Sequence, residues 1–233
     1  MNQFFIITGT SQGIGKELAE YYLDKGCKIA GADINNGSIK HENYIHYILD
    51  VSDEKKVSSM VKDVSKKFSQ IDVLINNAGM ASMNHFLLTP DKTAHKVFNT
   101  NFFGTFLFTR ETAKIMMKKK YGRIVNFSTV AVSYKLEGEA VYAASKAAIE
   151  NLTCVTAKEL GEMGITVNAI GPTPVKTALI RNVPENKIQE LIDRQAVKRF
   201  GEFRDIINVI DFFISEKSDL VTGQVVYLGG ANA

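Results

Sequence analysis

The stretch FFIITGTSQGIG, Phe4 to Gly15, decides how the rest of the chain is read. Four apolar residues run into Gly9, Gly13 and Gly15, and an amphipathic pattern follows over 13–25. The apolar run reads as a buried strand and the pattern behind it as a helix. Glycine suits the junction for three reasons: the turn is tight, the backbone must let a ligand approach, and the helix must pack close to the strand. Backbone amides and the positive helix end then face outward, which suits a pyrophosphate. The contacts expected from this turn come from Gly9, Ser11, Gln12, Gly13, Ile14 and Gly15. The plainer alternative is a glycine-rich turn that holds nothing. Asp33 bears on the choice, because it stands 18 residues after Gly15 at the end of the second apolar run. A carboxylate there accepts hydrogen bonds from a ribose diol and repels a 2′-phosphate. Ser11, Gln12 and Ile34 supply no cation for such a phosphate, so NAD is favoured over NADP.

Beyond this turn the same alternation repeats. Short runs rich in Ile, Val and Phe fall near 3–8, 27–33, 44–49, 72–76, 123–128, 164–170 and 224–228. Helical patterns fall near 13–25, 53–69, 90–119, 139–162 and 204–215. Strand-then-helix units joined by right-handed crossovers predict an α/β fold: a Rossmann-like, doubly wound parallel sheet of about seven strands with helices on both faces. Ligands of such sheets lie outside the carboxyl ends of the strands. The 233 residues fit one domain, 1–233. A net charge of +3 is too small to suggest nucleic acid, and no apolar run approaches a membrane span. Two cysteines build no disulfide framework, and the short apolar start lacks a basic leader, so a cytoplasmic protein is expected.

The residues after the other runs carry a resemblance. Asp50-Val51, the turn Asn76-Asn77-Ala78-Gly79, Asn101 in NTNFFGT, and Tyr142 with Lys146 in YAASK follow the TGxxxGxG turn in order. Together they resemble the short-chain dehydrogenase/reductase family, in its shorter single-domain branch. Tyr21 and Lys25 share the Tyr-x-x-x-Lys spacing, but they sit in the first helix and lack this company. The resemblance implies that Asp50 and Val51 hold an adenine ring. It implies that Asn77, Ala78 and Gly79 pass beside the ribose of the cofactor. Pro172, Val175 and Thr177 would meet the nicotinamide, and Asn101, Thr129, Tyr142 and Lys146 would be catalytic.

Moving a hydride between a carbinol carbon and nicotinamide needs a matched proton transfer at oxygen. A free phenol ionises near pH ~10, too high for a base at neutral pH. Residues i and i+4 share a helix face, so the Lys146 ammonium is expected to favour the Tyr142 phenolate. By resemblance Lys146 also bonds the nicotinamide ribose, and Asn101 holds a water that links Lys146 to solvent.

Three positions depart from the family pattern. Thr129 stands where a serine is usual, 13 residues before Tyr142, and its neighbour Ser128 is the alternative hydroxyl. Thr173 replaces a glycine after Pro172, and Pro174 restricts it further, so the loop is expected to take another path. Leu228 replaces an aspartate, which puts a subunit contact in doubt.

A lid over about 176–200 carries Arg181, Lys187, Arg194, Lys198 and Arg199, balanced by Glu185, Glu190 and Asp193. A solvated helical face explains it, and attraction of an acidic substrate is the sharper reading. Lys118, Lys119 and Lys120 end a helix, where cations complement the dipole. His41, His46, His85 and His95 show no metal spacing, though His85 follows the NNAG turn and is a candidate lining residue of the cleft. The helices around Phe102–Phe108 and Ala143–Ala148 are paired across subunits in the family, which implies a homotetramer or dimer. Three functions remain: an NAD(H)-dependent oxidoreductase of a secondary alcohol or ketone, a carrier-linked 3-oxoacyl reductase, and a non-catalytic dinucleotide-binding protein.

Overall fold

In the computed structural model, residues 3–176 and 183–231 are described. Seven strands form one parallel sheet: β1 (Phe4–Thr8), β2 (Lys28–Asp33), β3 (Tyr44–Ile48), β4 (Val73–Asn76), β5 (Gly122–Phe127), β6 (Ile165–Gly171) and β7 (Val225–Tyr227). Their order is β3-β2-β1-β4-β5-β6-β7, the doubly wound arrangement expected. Chain direction across the sheet reverses between β1 and β4, and a crevice opens there at the carboxyl ends.

The central strands are apolar on both sides because both faces are covered. Ile6 and Leu74 point into one core with Val57, Val61, Leu107 and Phe108, supplied by helices α2 (Glu54–Phe68) and α4 (Gly104–Met116). Their neighbours Phe5, Ile7, Val73 and Ile75 point into the other core. There they meet Leu18, Tyr22, Ile206 and Ile210, from α1 (Gly13–Asp24) and α8 (Phe203–Ile214). This two-residue alternation is what places successive side chains on opposite faces.

The helical stretch near 90–119 is not one regular helix. It divides into α3 (Asp91–Phe98), a wide turn over Asn99–Phe103, and α4. In the wide turn the Gly104 N–H donates to the carbonyl of Asn99, five residues back. Such π-turns often mark functional positions, and this one holds Asn101. Two further helices, α5 (Val130–Tyr134) and α7 (Glu185–Asp193), lie either side of α6 (Ala140–Leu160) and β6 in sequence.

Candidate active site

The glycines of the first turn are fixed by contact. Gly9 has φ +79°, and a Cβ there would stand 2.7 Å from Asn77 Nδ2. A Cβ on Gly15 would lie 2.1 Å from the Gly9 carbonyl oxygen, so α1 can start this close to β1 only without a side chain. Gln12 precedes the helix without a side-chain cap, and the first turn carries no acidic residue. The α1 amino end is thus left for an outside anion, and the Gly9–Gly15 cradle is backbone only. Both features fit a pyrophosphate.

Thr8 ties this turn to the next strand end. Its Oγ1 accepts from the N–H groups of Asn77 and Ala78 at 3.0 and 2.9 Å, while Asn77 Nδ2 donates to the Thr8 carbonyl at 2.9 Å. Sequence reasoning named the Asn77 turn but gave Thr8 no role; its hydroxyl partners lie some 70 residues downstream. Below, Asn76 donates to Thr109 and Asn126, and Asn126 donates to Thr153, a buried polar row between α4 and α6.

Asp33 ends β2 and is 9 % exposed. One carboxylate oxygen accepts from Ser11 N–H at 3.0 Å and the other from Asn35 N–H at 2.9 Å. The carboxylate is thereby held beside the glycine turn rather than free in solvent. Asp50 is exposed, and its Oδ1 accepts from both the backbone and the hydroxyl of Ser52. The Val51 side chain is buried against Gly104, so only its backbone remains for a ligand.

A cavity of about 510 Å³ opens beside the glycine turn and the Asn77 turn. Ile14, Asn77 and Gly79 line one end, and Thr129, Tyr142, Lys146, Pro172 and Val175 line the same space. Tyr142 is buried on α6 and lines the cavity together with Thr129. Burial pushes the phenol up to about 12; the Thr129 hydroxyl pulls it down and the nearby Glu139 charge pushes it up. Lys146, also buried, donates to the Phe127 carbonyl at 2.8 Å, and burial drives its pKa down to about 8.

Ser128 and Thr129 part ways at the end of β5. The Ser128 hydroxyl donates to Glu150, which also accepts from Tyr227. Thr129 instead starts α5, accepting from Ala131 N–H at 3.3 Å, with its hydroxyl toward Tyr142. Asn101 is fully buried; its Oδ1 accepts from Met80 N–H at 2.8 Å, and its Nδ2 donates to Met80 carbonyl and Ser145 hydroxyl. A Cβ on Gly79 would stand 3.2 Å from Asn101 Oδ1 and 3.4 Å from Lys146 Nζ, so this glycine is what separates the two side chains.

The loop after β6 is anchored by the residue that departs from pattern. Thr173 is buried and donates to the Gln195 side chain, which packs on Gly229. Val175 pairs with Gly201. Thr177 and Arg181 lie outside the described residues. Of the lid cations, Lys187 and Arg194 line the cavity, whereas Arg199 pairs with Asp205 at its far end. His85 does not line the cavity; its ring accepts from Leu87 N–H on an exposed turn. Among the described residues no cluster of His, Cys, Asp or Glu has metal-binding geometry, and no helix is long and apolar enough to cross a membrane.

Glu139 is the residue that sequence reading missed. It lines the cavity immediately before α6, and burial pushes its carboxyl up to about 7. Its only sequence signal is its place three residues before Tyr142, one turn away on the same helix face.

Known proteins resemble this chain in sequence and fold. A family model described as enoyl-(acyl carrier protein) reductase matches residues 9–231. The 3-oxoacyl-(acyl-carrier-protein) reductase FabG of Thermotoga maritima is 32% identical over 234 residues, covering 97% of this chain and 95% of that protein. A crystal structure of levodione reductase superposes with a TM-score of 0.89 at 27% identity, covering 99% of this chain and 97% of its own. The ligand-free aldohexose dehydrogenase of Thermoplasma acidophilum gives 0.89 at 26% identity, with 99% and 94% covered.

Proposed function

We propose that this chain, which belongs to the short-chain dehydrogenase/reductase family, is an NAD(H)-dependent oxidoreductase of free secondary alcohols and ketones. The observation that carries the reading is a cavity that Ile14 of the glycine turn lines together with Thr129, Tyr142 and Lys146. Family membership makes a nicotinamide dinucleotide the cofactor class. The residues fit it: the uncapped α1 end faces a pyrophosphate, Asp33 a ribose diol, and Asn77, Ala78 and Gly79 the second ribose. Bound there, nicotinamide supplies or takes the hydride at the substrate carbon.

The chain's own residues handle the oxygen. In reduction the Tyr142 phenol gives its proton to the substrate oxygen as the carbon gains hydride; in oxidation the phenolate takes it back. Thr129 donates a hydrogen bond to the same oxygen and so favours charge developing there. Lys146, which donates to the Phe127 carbonyl, would hold the nicotinamide ribose and favour the phenolate, and Asn101 holds the Met80 backbone beside it. Pro172, Val175 and Thr177 complete the nicotinamide end. Residues 1–233 act as one cytoplasmic, dinucleotide-binding unit. It pairs with copies of itself through α4 and α6; Phe103, in the wide turn that leads into α4, and Val155 on α6 remain 47% and 44% exposed.

A second reading, reduction of a carrier-linked 3-oxoacyl group, is favoured by the names of the curated relatives. A panel of ketones, alcohols, sugars and a 3-oxoacyl carrier substrate, each with NADH and NADPH, separates the two. We expect turnover of free substrates with NADH. The carboxylate opposite a 2′-phosphate costs several kcal/mol, so Asp33→Ser shifts the NADH/NADPH preference by about 10²-fold toward NADPH. Wild-type preference for NADPH, or turnover confined to the carrier substrate, overturns the reading.

A further inference from the structure

Glu139 sits in the cavity with Tyr142 and Thr129, yet nothing in the chain answers its carboxylate. Among the described residues its carboxylate accepts no hydrogen bond and makes no ion pair, and it does not turn back to cap α6. Three of the four cations in the lining bond elsewhere: Lys187 to Glu190 at 3.2 Å, Arg194 to the Tyr134 carbonyl at 3.1 Å, and Lys146 to the Phe127 carbonyl at 2.8 Å. Lys135, Glu137 and Glu190 complete the charged lining, and burial is the one cause raising the Glu139 carboxyl. The carboxyl is half-buried and open to water from the cavity, so a ligand that fills the cavity displaces that water and must bring a donor in its place.

We propose that Glu139 selects the substrate by accepting a hydrogen bond from a hydroxyl carried next to the reacting carbon, so that the substrates are vicinal diols and α-hydroxy ketones. The inference rests on the oxidoreductase reading and narrows it. Side chains three apart on a helix stand about 5–6 Å apart at Cβ, a span that suits neighbouring oxygens of one substrate held by Glu139 and Tyr142. An ammonium donor is disfavoured by Lys135, Lys187 and Arg194 in the same lining. A 3-oxoacyl thioester offers only carbonyl oxygens near its reacting carbon, and these repel a carboxylate.

The test compares 2-hydroxycyclohexanone with cyclohexanone, using NADH and NADPH, in wild type, Glu139→Leu and Glu139→Gln. We expect the wild type to prefer the hydroxy ketone in kcat/KM by about tenfold or more, the worth of a hydrogen bond to a charged group, mostly through KM. Glu139→Leu brings the ratio near unity, and Glu139→Gln, whose amide oxygen still accepts, retains part of it. An unchanged ratio in Glu139→Leu overturns the inference while leaving the oxidoreductase reading intact. Should that variant not fold, a wild-type enzyme indifferent to the hydroxyl overturns it equally. No turnover of either ketone with either nucleotide overturns the oxidoreductase reading, and the inference falls with it.

Discussion

Replacing Thr129 by Val removes one hydroxyl and keeps the shape of the side chain. Two effects go with it. One is loss of the 3.3 Å bond from Ala131 N–H, which opens the five-residue helix α5. Loss of a cap costs about 0.5–2 kcal/mol, and the low end applies because this bond is long. The other falls on the Tyr142 phenol, whose pKa the Thr129 hydroxyl pulls down against burial. Without it, burial and the Glu139 charge push the phenol up unopposed, further from working pH. The substrate oxygen loses a donor as well. Removing one such donor costs about 10²–10³ in kcat, or roughly 3–4 kcal/mol of barrier.

The expected outcome is therefore a kcat fall of about 10²-fold or more, with nucleotide affinity nearly unchanged, because the glycine turn and Asp33 are remote from the hydroxyl. Thr129→Ser restores the hydroxyl and most of the turnover. Ser128→Ala, which cuts only the link to Glu150, leaves kcat within a few-fold of wild type. Steady-state rates at the nicotinamide absorbance and nucleotide titration by fluorescence read the two quantities separately. Unchanged kcat in Thr129→Val, or a larger loss in Ser128→Ala, refutes the assignment.

Two further outcomes follow from the same geometry. Gly15→Ala puts a Cβ 2.1 Å from the Gly9 carbonyl, so α1 must shift. The cost is about 1–3 kcal/mol in thermal or denaturant unfolding, with nucleotide affinity falling more than that of Gly161→Ala, where a Cβ meets nothing within 4 Å. The Glu139 carboxyl is raised from 4.5 to about 7 in the folded chain, so the folded state binds the extra proton between those values. That contribution is fully present below pH 4.5 and is lost as pH rises through about 7. Glu139→Gln removes this dependence, and its stability advantage over wild type, measured by unfolding at matched pH, grows from pH 4.5 to 7; a constant difference refutes the burial argument.

What the sequence made legible depends on how far apart the partners lie. The glycine turn, the strand–helix alternation and the Tyr142–Lys146 pair are local patterns, and strand ends of a doubly wound sheet bring them together without further information. The place of Asp33 was readable because it follows from where β2 ends. The fate of single polar groups was not readable. Ser128 and Thr129 look interchangeable in sequence, yet successive residues leave a strand on opposite sides, so one meets Glu150 and Tyr227 while the other meets Tyr142. Thr173 looked like a disruption of the loop, but its hydroxyl reaches Gln195, 22 residues on, and fastens the loop that glycine would have left freer. The Lys146 ammonium donates to the Phe127 carbonyl, a partner that the sequence does not reveal. In each case a buried polar group takes the partner that the tertiary fold offers first. The same rule gives Glu139 its meaning: in a structure where Ser128, Thr173, Lys146 and Asn101 all find partners inside the chain, a cavity carboxylate with none is matched by what enters the cavity.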